Sequence, residues 1–388
     1  MEILLSAAVP RRREGGVAGV VHNFGRELEE LGHRVTYLFR EDLLTASESA
    51  GRFGELRFSA RVARHIRENR GKYSIVNLHG SVGAVYGVRR LVSAAGRGPA
   101  YILTLHGLEE RRIHAMSREQ KKGRAWHFSF KNRLWLRVYH RSLFFTAVMT
   151  ADRVHCFSRD VWTILQLKHN LDPGQVAYIP GGVEGRFLIQ REYADRKPVR
   201  LLYAGTWLDQ RGIFYLRDAL NGLNRKFVDW TLTIAGPGTP VNKVKEFFGE
   251  TLEEQILVLP VVPADRMPEL YSQHDIFVFP SLMEGQPLVV SEAMAGGMPV
   301  ITTETCGMVD LVEDGLNGLL VPPADAIALE EAIFRLCQSV DLRRQLGRAA
   351  QQKMQRYTWK DAACRLERVF VSALQNDSSP LSLTRHAP

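Results

Sequence analysis

Cysteine is scarce in this sequence. The 388 residues hold four, Cys156, Cys306, Cys337 and Cys364, far apart and without CxxC spacing. That excludes a disulfide framework and a cysteine zinc site, and suits a reducing compartment. Long apolar runs are missing too. The longest stretch, near Leu143 to Ala151, is far below the roughly 20 residues of a spanning helix. No basic stretch precedes the apolar run of MEILLSAAVP, so it reads as a first strand rather than a signal peptide. There is no D-x-D pair, no HExxH and no Cys/His cluster, so no metal is expected. No repeat of solenoid period is found. What remains is an ordinary globular balance, 45% hydrophobic and 24% charged, in a chain long enough for two domains. The expected setting is cytoplasmic.

Short β-rich runs alternate with helical patterns almost from end to end. EILLSAAV, RVTYLF, SIVNLHG, YILTLHG, RVHCFS and VAYIP read as buried strands in the first half. RLLYAG, TLTIAG, ILVLP, IFVFPS, PVITT and GLLVP repeat the pattern in the second. Between the first two runs, Phe24, Leu28 and Leu31 fall at helical spacing and Gly32 supplies a stop. Such alternation implies parallel sheets covered on both faces, hence an α/β chain of two Rossmann-like, doubly wound domains facing across a cleft. The unit changes around IPGGVEGRF, which predicts domains of residues 1–180 and 181–358, a C-terminal helix at about 359–375 and a loose tail over 376–388. Ligands bind beyond the carboxyl ends of the strands in open α/β sheets, so the chemistry is expected in the loops after strands.

The net charge of +9 is concentrated. Residues 111–141 carry ten basic side chains against one acid, Glu119, so the rest of the chain sums to zero. The candidate anion-binding residues are Arg111, Arg112, Arg118, Lys121, Lys122, Arg124, Lys131 and Arg133, with Trp126, Phe128, Phe130, Trp135 and Tyr139 interleaved. A helix of this kind lies on an anionic membrane, holds an anionic acceptor, or is a solvated face with its aromatics inward. No nucleic-acid motif accompanies it, so no nucleic-acid partner is expected.

Two loops stand out. After the first strand, Gly15, Gly16 and Gly19 open a helix, giving either an anion cradle of backbone N–H groups or a tight turn. The sharper segment is FVFPSLMEGQPLVVSEAMAGGMPVITT, from Phe277 to Thr303. It predicts a strand ending at Pro280, a loop with Glu284 and Gly285, and a helix from about Pro287 to Ala295. Glu284 and Glu292 stand eight positions apart, up to roughly 12 Å along a helical path. Two carboxylates so spaced, with helix-opening N–H groups between, suit the sugar, diphosphate and ribose of a nucleotide sugar. A surface glutamate plus a first-turn glutamate is the plainer alternative.

The E-x7-E pattern in EGQPLVVSEAMAGGMPVITT resembles the retaining glycosyltransferases of family 4, which have the GT-B fold. The opening glycine pair, GHRVTYL, LTLHG, ADRVHCFS, IPGGVE, LLYAGTWLDQRG and DGLNGLLVPPAD resemble other segments of that family in the same order, over roughly residues 1–375. The resemblance implies a metal-independent, retaining transfer from a nucleotide-diphosphate sugar to a glycan, glycolipid or small-molecule acceptor, with no cofactor. It places Glu284 against the transferred sugar, Glu292 on the ribose hydroxyls, and His106 near sugar and acceptor. Arg211 takes the place of the family's phosphate-binding lysine. Backbone groups of Gly15, Gly16, Gly205, Thr206, Gly285, Gln286, Pro287 and Leu288 complete the donor site. Thr206 stands where the family often has arginine, which leaves Arg211 as the cation of that loop; Gly181-Gly182-Val183-Glu184 replaces the usual Asn-Gly-Val-Asp. Charge on the leaving diphosphate would be met by Arg211, helix-start N–H groups and the helix dipole. A silent nucleotide-sugar-binding partner protein and a GT-B sugar-nucleotide epimerase are the alternatives. The expected setting is cell-surface polysaccharide or glycoconjugate synthesis, peripheral on the inner face of the cytoplasmic membrane.

Overall fold

The computed structural model describes residues 1–11, 16–51, 53–93, 98–125, 136–226 and 228–375. It divides into two compact units. Of the described residues, those within 1–113, 136–181 and 359–375 form the first, and those within 114–125 and 182–358 form the second. Residues 114–125 thus group with the second unit.

Each of the twelve strands among the described residues falls on one of the twelve β-rich runs, with β4, β7 and β8 beginning one residue before theirs. In the first unit they are β1 (Glu2–Ser6), β2 (Arg34–Leu38), β3 (Ile75–His79), β4 (Ala100–Leu105), β5 (Arg153–Cys156) and β6 (Val176–Tyr178). They pair in parallel in the order β2-β1-β3-β4-β5-β6. In the second unit β7 (Val199–Ala204), β8 (Trp230–Ala235), β9 (Ile256–Leu259), β10 (Ile276–Phe279), β11 (Val300–Thr303) and β12 (Leu319–Val321) pair in the order β12-β11-β10-β7-β8-β9. Central strands such as β3, β4 and β10 are buried along their whole length, as parallel strands covered on both faces must be. The polar Asn77 survives inside β3 because its Nδ2 donates to Ile102 O at 3.2 Å and to Thr104 Oγ1 at 2.8 Å.

Each order reverses once. In the first sheet β1 lies between β2 and β3; in the second β7 lies between β8 and β10. Those reversals open the crevices where an open α/β sheet takes its ligand. The loops after β1, β3 and β4, and those after β7 and β10, are therefore the ones to inspect.

The C-terminal helix Trp359–Gln375 belongs to the first unit. Trp359, Leu366, Val369 and Phe370 are buried, and Trp359 meets Phe24 edge-on at 5.3 Å between ring centres. His33 Nε2 and Glu367 Oε1 are 2.8 Å apart. The tail over 376–388 lies outside the described residues.

Candidate active site

In the second unit the reversal brings two loops together. After β7 the chain passes Gly205 (φ 135°) and exposed Thr206, forms a short 3-10 turn Asp209–Arg211, and starts the helix Ile213–Arg225. Gly212 makes that corner with φ 73°, and a Cβ there would lie 1.9 Å from Pro280 O in the loop after β10. Only glycine permits both the left-handed backbone and the close approach. The two loops are also tied by Leu282 N–H, which donates to Gln210 O at 2.8 Å.

The consequence is that Arg211 and Glu284, 73 residues apart, form an ion pair. Arg211 Nη1 donates to Glu284 Oε1, and Ser281 Oγ donates to the same oxygen at 2.8 Å. The guanidinium lies 5.3 Å over the Phe279 ring. Its Nε is buried and has no hydrogen-bond partner among the described residues. Burial pushes the Glu284 carboxyl above its ordinary range; Arg211 and Ser281 pull the other way without cancelling it. Glu284 remains 13% exposed and Arg211 22%. The arrangement is a fixed fork with one orphaned donor beside a carboxyl at the sheet's carboxyl edge, which suits an anion with oxygens to spare.

The following loop is equally constrained. A Cβ on Gly307 would lie 1.4 Å from Gly285 O, and Gly307 N–H donates to Glu284 O at 3.1 Å. The helix Leu288–Ala295 begins one residue later than expected, with Pro287 as its N-cap. Proline suits the place, since the first N–H groups of a helix have no partner inside it. Gln286 Nε2 donates to Ser291 Oγ at 3.4 Å. Glu292 is held by Tyr271, whose hydroxyl donates to Oε2 at 2.9 Å. Burial pushes its carboxyl up to about 7; the Tyr271 bond and Arg186 oppose the rise and Glu184 adds to it.

In the first unit the loops after β1, β3 and β4 line a cavity of about 340 Å³ with Glu55, Ser81, His106 and His140 among its walls. His106 Nε2 and His79 Nδ1 share a hydrogen bond of 2.8 Å, and His106 stacks on Phe157 at 5.2 Å between ring centres. Burial, with His155 beside it, pushes His106 down to about 3, and burial pushes His155 down to about 4. These rings are neutral at physiological pH. His79 Nε2 is buried without a partner among the described residues. Glu55 Oε2 accepts from Ser81 Oγ at 3.1 Å and lies 3.2 Å from His140 Nδ1. Burial acts to raise Glu55, but His140, Ser81 and Arg40 together outweigh it, so the carboxyl sits below its ordinary value. The bond to Glu55 raises His140.

Several of these residues escaped sequence reasoning. Ser281, Tyr271, Gly212 and Gly307 carry no signal until the strand order is known. His79 did leave one: NLHG at 77–80 repeats the His-Gly strand end of TLHG at 104–107. Gly15 of the first loop lies outside the described residues; Gly16 is present with φ 56°.

The basic candidates divide. Arg111 pairs with Asp160, Arg112 with Glu109 at 3.3 Å, Lys122 with Glu119 at 3.2 Å, and Arg124 with Asp218 at 2.8 Å. The glutamate that is the segment's one acid is buried, and its Oε2 accepts from Tyr215 at 2.6 Å. Arg118 and Lys121 are exposed, and Lys131 and Arg133 lie outside the described residues.

Comparison with known proteins decides the family. Residues 14–185 match Glycosyltransferase Family 4, and residues 186–353 match Glycosyl transferases group 1. The chain is a family 4 glycosyltransferase. An uncharacterized glycosyltransferase of Methanocaldococcus jannaschii is 27% identical over 230 residues, 59% of this chain and 62% of that protein. The UDP-Gal:alpha-D-GlcNAc-diphosphoundecaprenol alpha-1,3-galactosyltransferase of Escherichia coli is 24% identical, over 68% of this chain and 66% of its own. The chain thus spans about two thirds or less of these relatives. Among solved structures, the sucrose-phosphate synthase of Thermosynechococcus elongatus superposes with a TM-score of 0.77 at 20% identity, covering 97% of this chain and 100% of its own. That likeness shows the GT-B fold. No helix among the described residues of this glycosyltransferase is long and apolar enough to cross a membrane.

Proposed function

We propose that the glycosyltransferase moves a sugar from a nucleotide-diphosphate sugar with retention of anomeric configuration and without a metal ion. One observation carries the reading. The Arg211–Glu284 pair, with the orphaned Arg211 Nε, stands at the strand-order reversal of the second unit, beside the opening of the helix Leu288–Ala295. Arg211 and the helix-start N–H groups would bind the diphosphate, and Glu284 the transferred sugar. Glu292 would accept from the ribose hydroxyls.

In the reaction the acceptor oxygen forms its bond to the anomeric carbon on the face from which the diphosphate departs. The anomeric carbon–phosphate oxygen bond breaks, and the departing phosphate oxygen takes the acceptor's proton. No enzymic nucleophile is required. Charge builds on the leaving diphosphate, where Arg211 supplies a fixed cation rather than a mobile metal.

The acceptor reading rests on the first-unit cavity. Its neutral His106, the orphaned His79 Nε2 and the Glu55–His140 pair present donors and acceptors suited to sugar hydroxyls. The Escherichia coli relative is named for a UDP-sugar and a lipid-diphosphate acceptor, which supports a nucleotide-sugar donor and a glycan or lipid-linked acceptor. Cell-surface polysaccharide or glycoconjugate synthesis at the inner face of the cytoplasmic membrane is the setting that fits.

The test is the anomeric configuration of the product, read by NMR with EDTA present. An α-linked sugar donor should give an α-linked product at undiminished rate. A β-linked product would overturn retention, and loss of turnover in EDTA would overturn metal independence.

A further inference from the structure

Residues 114–125 lie in sequence between β4 and β5 of the first unit, yet they group with the second. The physical reason lies in the last turns of the helix Glu109–Lys121. Ala115 packs against the core of the second unit, and Met116 and Glu119 are buried. Arg118 and Lys121 are exposed. Spacings of three and four put the first three on one face of the helix. The helix ends on Gly123, whose φ of 71° is the left-handed backbone that glycine takes without strain. Gly123 N–H donates to Gln120 O at 3.1 Å, and Arg124 N–H to Glu119 O at 3.0 Å. These two bonds close the helix end and fix Lys122 and Arg124 relative to Glu119.

All three side chains meet Tyr215. Its hydroxyl donates to Glu119 Oε2 at 2.6 Å and accepts from Lys122 Nζ at 3.0 Å. The Arg124 guanidinium lies 4.8 Å over the ring, and its Nη2 donates to Asp218 Oδ2 at 2.8 Å. Burial, together with the Glu119 bond, holds the Tyr215 hydroxyl above its ordinary value, so it stays a donor. A carboxylate only 3% exposed is costly to bury, and a buried ion pair adds little net stability. Such a group can nonetheless fix a position.

The position at issue is the start of the helix Ile213–Arg225. Tyr215 N–H and Leu216 N–H both donate to Gly212 O at 3.0 Å, and Gly212 follows Arg211 directly. We propose that Glu119 and Tyr215 are positioning residues, which seat the first turn of this helix so that the Arg211 guanidinium meets the leaving diphosphate. The proposal rests on the donor reading given above. Lys122 and Arg124 then serve a tyrosine of the protein rather than an external anion.

The test is hydrolysis of UDP-, GDP- and ADP-sugars by wild type, Tyr215→Phe, Arg211→Lys and the double variant. Phenylalanine keeps the ring and its contact with Arg124 and removes only the hydroxyl. The charge that Arg211 must meet grows as the diphosphate leaves, so Tyr215→Phe should lower kcat about tenfold and leave the donor KM nearly unchanged. In the Arg211→Lys background the same change should cost less than about twofold, because both act through one guanidinium. Glu119→Gln still offers an oxygen to the Tyr215 hydroxyl and should keep most of the activity, whereas Glu119→Ala should lose as much as Tyr215→Phe. Full activity in Tyr215→Phe, or an equal loss in both backgrounds, would overturn the proposal and leave the donor reading standing. Turnover unchanged in Arg211→Lys, or no nucleotide sugar hydrolysed by wild type, would overturn both.

Discussion

At the scale of single residues, burial holds the two carboxyls proposed for the donor, Glu284 and Glu292, above their ordinary value. Glu292 is the clearest. Its carboxyl titrates near 7 in the folded protein against 4.5 ordinarily, and Tyr271, Arg186 and Glu184 are the groups that act on it. A carboxylate accepts two ribose hydroxyls better than a neutral acid does, so donor affinity should fall as pH drops below about 7. Calorimetric titration across pH 5.5–8.5 checks this; Glu292→Gln should bind more weakly at pH 8 and lose the pH dependence. The sign for stability is opposite. The unfolded chain releases this proton near 4.5 and the folded protein retains it to about 7, so Glu292 makes stability fall as pH rises between them. Arg211→Lys tests the fork. An ammonium is one point charge, and its loss of bidentate geometry should lower turnover by about 10²-fold, in the range for a lost donor in such a site. The pair Glu284 and Glu292 was legible in the sequence because both lie in one continuous motif. Ser281 was not, because its contact with Glu284 depends on the shape of a loop rather than on spacing. Glu55 was not, because it reaches the cavity from a helix far from the strand-end loops in sequence, and His79 showed only as the NLHG echo of TLHG.

At the scale of elements, glycines set the site. Gly307 has an unstrained backbone, so Gly307→Ala acts through contact alone, by displacing the Gly285 carbonyl. Gly307 is buried and the carbonyl is backbone, so the chain must shift: turnover should fall at least about tenfold and the unfolding midpoint should fall with it. Gly212→Ala adds a second cost. A left-handed residue with a Cβ costs about 1–2 kcal/mol before the clash with Pro280 O is counted, so stability and turnover should both drop. Chemical denaturation with parallel activity assays measures both. All twelve strands could be read from the sequence because parallel strands buried on both faces are continuous apolar runs. The order in which they pair could not, since nothing local says which runs are neighbours. That order decides which loops meet, and it brings Arg211 to Glu284.

At the scale of the whole molecule the chain closes its first unit with its last helix. Phe370 is fully buried in that helix, which also carries the Glu367 contact to His33 and the Arg365 Nη2–H bond to Tyr178 O at 3.0 Å. Phe370→Ala should destabilise the first unit by about 3–5 kcal/mol, seen as earlier loss of its amide protection in hydrogen exchange. In the basic segment, sequence shows the run of cations but not their partners: Arg111, Arg112, Lys122 and Arg124 each meet a carboxylate supplied by the fold, while Arg118 and Lys121 are exposed.

The most direct test of the account is binding and slow hydrolysis of UDP-, GDP- and ADP-sugars by wild type and Glu284→Gln. The account predicts that one donor is bound and turned over, and that Glu284→Gln binds it but loses about 10²–10³ in rate. Full activity in the variant, or no binding of any nucleotide sugar by wild type, would contradict it.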